Sequence, residues 1–137
     1  MMLKLRNKTL FFLAALAAVW ALGVIVLGAY VRLSHAGLGC PDWPGCYGHM
    51  VVPEETRKID AANAAYPERP MHGEKAWKEM VHRYFAGGLV LLVFLIVVRA
   101  FKTYDWSKPE ERKQLIVPLL LPLLIVLQAL LGMWTVT

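Results

Sequence analysis

The sequence predicts an all-α integral membrane protein with three transmembrane helices, and three uncharged runs carry that prediction. From Thr9 to Val31 no residue is charged, a run of 23, and Gln114 to Thr137 gives a second run of 24. A third, the 15 residues Tyr84–Val98, lies between Arg83 and Arg99. About 20 mostly apolar residues cross the roughly 30 Å hydrocarbon core of a bilayer, so the first and last runs suffice alone. The middle run covers only about 22 Å as helix, so its helix must draw in flanking residues. The helices are placed at about 10–31, 79–101 and 115–137, with an outer loop over 32–78 and an inner link over 102–114.

Composition agrees, with 58% apolar and 18% charged residues in a chain of single-domain length. The net charge of +5 does not indicate a nucleic-acid partner, because it is not spread as a basic patch. Lys4, Arg6 and Lys8 precede the first run, and Arg99, Lys102, Lys108, Arg112 and Lys113 surround the short link between the second and third. The segment Arg32–Arg83 holds seven basic and seven acidic residues and nets to zero. Basic residues gathered in the short segments of one side put that side in the cytoplasm. The expected topology has the N-terminus inside and the long loop outside, periplasmic if the membrane is the bacterial inner one.

Taken in order, the first run is too long for the core of a cleaved signal peptide, and "LGAYVRLSHAG" offers no convincing cleavage site. Ala14, Ala17, Ala18 and Ala21 give it small residues on which another helix could pack closely. The outer loop opens with "LSHAGLGCPDWPGCYGH", whose Gly and Pro content demands turns. Between Pro53 and Pro67 there is room for one short amphipathic helix. From Gly73 a helical pattern resumes and runs into the second span. In the link, Pro109 suits the first turn of a new helix. Pro118 and Pro122 place any kink of the third span near its inner end.

Two constellations carry candidate chemistry. Cys40 and Cys46 flank a Pro-Asp-Trp-Pro turn on the expected oxidising side. Three readings stand there: a structural disulfide, a redox-active pair, or a metal site built with His35 and His49. The spacing H-x4-C-x5-C-x2-H matches no common zinc pattern. The second constellation is "EMVHR", in which Glu79 and His82 are three apart and share a helix face, with Arg83 following. Ionisable groups at that depth usually face a bundle interior or a ligand. His82 could offer its imidazole to a metal such as a heme iron, with Glu79 moving a proton beside it. An interfacial His beside a snorkelling Arg is the plainer reading, and spacing alone favours it.

The motifs together shift that balance. "GAYVRLSHAGLGCPDWPGCYG" (28–48) resembles the signature following the first helix of the heme A synthase family, of proteobacterial type, which serves cytochrome oxidase assembly. "EMVHR" (79–83) is similar to that family's Glu-x-x-His-Arg motif, and "QALLGMWTVT" (128–137), with Gln128, Gly132 and Thr135, to its third helix. The resemblance implies eight membrane helices in two similar four-helix heme-binding bundles, and oxidation of a methyl group of heme O to the formyl group of heme A. It implies that His82 is an axial ligand of the substrate heme iron and that Glu79 is the acidic residue essential to the oxidation. It further implies that Cys40 and Cys46 form a disulfide, and that a b-type heme cofactor belongs to a second half absent from this chain. Implied partners are the lipid bilayer, heme O, and a C-terminal half or partner chain completing the bundle, with heme O synthase and further copies of the chain as additional ones. Read so, the chain is a truncated portion, inactive alone. The competing expectation is a non-catalytic membrane assembly subunit with a disulfide-stapled outer loop.

Overall fold

The structure, a computed structural model, describes residues 2–134 and is all-helical apart from turns and one isolated β-bridge. Five helices follow in order: α1 (Met2–Leu33), α2 (Thr56–Ala65), α3 (Gly73–Thr103), α4 (Pro109–Lys113) and α5 (Ile116–Trp134). Three segments, Lys8–Leu33, Gly73–Thr103 and Pro109–Trp134, are long and apolar enough to cross a membrane. The helix expected over 79–101 begins at Gly73, so the short middle run is completed mainly from its N-terminal flank. Expected positions beyond Trp134, Thr135 among them, lie outside the described residues.

α3 packs against both α1 and α5, and most large side chains of α1 and α5 are exposed, as lipid-facing surfaces require. Of the four alanines expected to permit close approach, only Ala17 is buried. The α1–α3 seam instead pairs glycines with rings. A Cβ on Gly88 would stand 3.1 Å from the Trp20 indole, and one on Gly28 would stand 3.0 Å from the His82 imidazole. Trp20 also donates from Nε1 to the Phe85 carbonyl at 2.8 Å and stacks on the Phe85 ring, with centroids 5.2 Å apart.

α1 ends in a Schellman motif. The Ala36 amide bonds the Val31 carbonyl at 3.0 Å and the His35 amide bonds the Arg32 carbonyl at 3.1 Å. That geometry needs a left-handed residue between, and His35 supplies it at φ 51°. The position, to which sequence reasoning attached no catalytic role, is thus one where glycine would relieve strain. Sequence pattern also anticipated the short α2, halted where Pro67 follows its C-cap Tyr66.

The outer segment is more than a run of turns. Cys40, Cys46, Tyr47, Val52 and Ala62 bury themselves against Ala76 and Met80 of α3, so the segment carries a small core of its own. The break between α4 and α5 falls at Gln114–Leu115, where two tight turns bond Gln114 to Glu111 and Leu115 to Arg112. Pro118 has no N–H for the Gln114 carbonyl, which explains a break one turn before the proline.

His35→Gly should raise stability by roughly 0.5–1 kcal/mol, since glycine occupies the left-handed region without the Cβ clash. Thermal unfolding in detergent, compared with the parent protein, measures it.

Candidate functional site

The outer end of α3 carries the candidate residues. Ala76, Glu79, Met80 and Arg83 turn toward the outer segment. The approach is close because Gly39 has no side chain: a Cβ there would stand 2.7 Å from the Lys75 backbone. One turn further along, Glu79 is only 3% exposed, and its Oε2 accepts the Cys40 N–H at 3.0 Å. The neighbouring Gly39 N–H is turned back to the Ala36 carbonyl at 3.0 Å. Glu79 Oε1 pairs with Arg83 Nη2, an i,i+4 bridge between two side chains almost wholly removed from water.

Arg83 then reaches into the turn. Its Nη1 donates to the carbonyls of Asp42 at 2.8 Å, Pro44 at 3.4 Å and Gly45. These acceptors sit inside the ring closed by the Cys40–Cys46 disulfide, whose Cα atoms are 4.9 Å apart and whose residues are both 0% exposed. Asp42 braces the ring from within. Its two carboxylate oxygens accept the backbone N–H groups of Tyr47 at 2.6 Å and Gly48 at 2.7 Å. Cys46 and His49 exchange backbone bonds at 2.8 and 3.1 Å, a contact that excludes a side chain at Gly45. The Tyr47 hydroxyl donates to the Arg69 carbonyl at 3.0 Å, and burial raises its pKa above the usual phenol value.

The disulfide disposes of the metal alternative for His35, Cys40, Cys46 and His49, because a bridged pair has no thiolate to give. Among the described residues no three His, Cys, Asp or Glu side chains converge as a metal would need. His35, with His72, instead lines an outer cleft of about 280 Å³ that includes neither Glu79 nor His82.

His82 lies on the α1–α3 seam, half-buried, with its ring against the Gly28 backbone and beside the Val24 carbonyl. Its Nδ1 is buried and makes no hydrogen bond. The side chain therefore turns toward its neighbouring helix rather than toward the disulfide loop. Glu79 and His82 do share the outer end of one helix, but the structure joins Glu79 to the disulfide loop. Sequence reasoning missed Asp42, Gly28, Gly39 and the loop-binding role of Arg83. The aspartate in the Pro-Asp-Trp-Pro turn was the only signal available for any of them.

Fold and site together define a polytopic membrane protein whose disulfide-closed loop is fastened to a helix by a buried ion pair. A sequence profile described as cytochrome oxidase assembly protein matches residues 11–137, and the chain belongs to that family. The heme A synthase of Shewanella oneidensis is 51% identical over 126 residues, covering 92% of this chain and 36% of that protein. The chain thus spans about a third of the length of this curated relative. No solved structure matches it.

Two substitutions probe this geometry. Glu79→Ala strands the Arg83 guanidinium and should cost about 3–5 kcal/mol, as removing one partner of a buried pair does; unfolding in detergent and faster proteolysis of the outer loop report it. Gly28→Val puts a branched side chain where the His82 ring sits, so the ring must move, and the shift is read from the imidazole resonances by NMR.

Proposed function

We propose that the chain is the N-terminal, substrate-heme-binding part of a heme A synthase, which oxidises the heme O methyl group to the formyl group of heme A. The observation that carries this reading is the His82 imidazole, held over Gly28 with a buried, unpaired Nδ1, one turn from a buried carboxylate. The heme is the substrate and supplies the iron and the reacting methyl group. His82 would hold and orient it as axial ligand, and Glu79 would hold or move a proton at its carboxylate beside that ligand. Gly28 leaves the room on α1 that such a ligand ring occupies. A second axial ligand and a b-type heme cofactor would come from a further part of the protein or from a partner chain.

The membrane is proposed to be the bacterial inner one, with the N-terminus cytoplasmic and the disulfide loop periplasmic. The basic residues beside the inner link and the disulfide in the neutral outer segment both support that orientation. Heme O, heme O synthase and further copies of the chain are the proposed partners. A second reading, a non-catalytic assembly subunit, draws support from one observation: the Glu79 and Arg83 side chains are both taken up in holding the outer loop.

In full-length protein, His82→Ala should abolish or strongly weaken the low-spin heme absorbance of the N-terminal bundle and stop heme A formation. Spectra of purified wild-type and variant protein decide it. Unchanged heme content and activity would leave the assembly-subunit reading standing instead.

A further inference from the structure

The proposed chemistry assigns work to Glu79 and His82 but none to Arg83, although Arg83 makes more contacts with the outer loop than either. Its two terminal nitrogens divide the task. Nη2 pairs with Glu79 Oε1, while Nη1 gathers the carbonyls of Asp42, Pro44 and Gly45. Those carbonyls all lie within the ring that the disulfide closes. The remaining oxygen of Glu79 takes the N–H of Cys40, at the start of the same ring. One ion pair on α3 thus grips the ring at its beginning and along its far arm.

We propose that Arg83 is a positioning residue, which holds the disulfide ring down on α3 and thereby fixes the Glu79 carboxylate against the Cys40 amide. The anchoring is a property of this chain, and only its catalytic consequence rests on the proposed function. Arginine suits the task because its planar fork directs donors two ways at once, toward a carboxylate and toward a set of carbonyls. Lysine carries three donors on one compact centre and cannot span both. The ring cannot drift sideways, since Gly39 abuts the α3 backbone and Asp42 locks the turn from inside. Because both bridged cysteines are 0% exposed, a reductant reaches the sulfurs only when the ring lifts from the helix. The rate of reduction therefore reads the anchor directly.

The test compares Arg83→Gln, Arg83→Lys and the exposed control Lys58→Gln with wild type, all in full-length, membrane-inserted protein. The probe is dithiothreitol at fixed pH, and the readout is the rate at which Cys40 and Cys46 become open to alkylation. Arg83→Gln should speed that rate about tenfold or more, Arg83→Lys should restore little of the protection, and Lys58→Gln should change nothing. The heme absorbance that depends on His82 should persist in both Arg83 variants, and kcat should fall while KM for heme O stays within about twofold. A wild-type reduction rate in Arg83→Gln overturns the proposal, as does full protection in Arg83→Lys. If the glutamine variant does not accumulate, the lysine variant, which keeps the charge beside Glu79, decides alone by the same criterion. Loss of the His82 assignment would leave the reduction rates untouched, so the two failures are distinguishable.

Discussion

A carboxylate and a guanidinium one turn apart, both withdrawn from water at the outer end of α3, set the terms for everything around them. Burying two charges is costly, and the cost is offset only where every remaining donor and acceptor is met. The loop meets them with the amide of Cys40 and the carbonyls of Asp42, Pro44 and Gly45. Its path over the helix is thereby dictated by hydrogen-bonding need rather than by apolar area. The disulfide is the lesser constraint. Closing a ring between cysteines six apart in sequence restricts the unfolded chain by only about 2 kcal/mol, against about 3–5 for breaking a buried pair. The bridge shapes the ring, and the ion pair places it.

Beneath the loop, the α1–α3 seam works by a second rule, ring against glycine. Trp20 lies over Gly88 and His82 over Gly28, so each helix offers one ring and one bare backbone to the other. Association in lipid depends on close packing and hydrogen bonds rather than on water expelled, and the Trp20 bond to the Phe85 carbonyl adds to it. The consequence for the site is positional. Trp20 and Gly88 fix the register of α1 on α3, and that register decides that His82 meets Gly28 rather than a bulky neighbour.

Much of the architecture was legible because it follows from composition along a line. Uncharged runs mark the spans, prolines bracket α2, and paired cysteines in a neutral outer loop signal a bridge. What was not legible depends on partners far apart in sequence. Nothing in "EMVHR" tells that Arg83 looks back to Asp42, 41 residues earlier, or that Glu79 is taken up by a backbone amide 39 residues away. The alanines of α1 looked like the packing surface because four-residue spacing is visible, whereas the glycines that do the packing, Gly28 and Gly88, carry no such periodic signal. His35 was opaque for the opposite reason: its place is set by backbone handedness at a helix end, which a side chain's chemistry does not announce.

The burial of the disulfide bears on whether those cysteines can exchange electrons. Thiol–disulfide exchange needs an attacking thiolate to reach a sulfur, and access governs its rate as much as thiol acidity does. Here both cysteines are enclosed by Ala76 and Met80 of α3, by Val52 and Ala62, and by Tyr47 of their own turn. An external thiol meets that wall before it meets sulfur. Redox cycling would therefore require the ring to rise from α3, which breaks the Cys40 amide bond to Glu79 and the carbonyl bonds to Arg83 together. Any such cycle would release the Glu79 carboxylate each time it ran. In the closed arrangement the bridge acts as a structural member, and the ion pair holds its ring against α3.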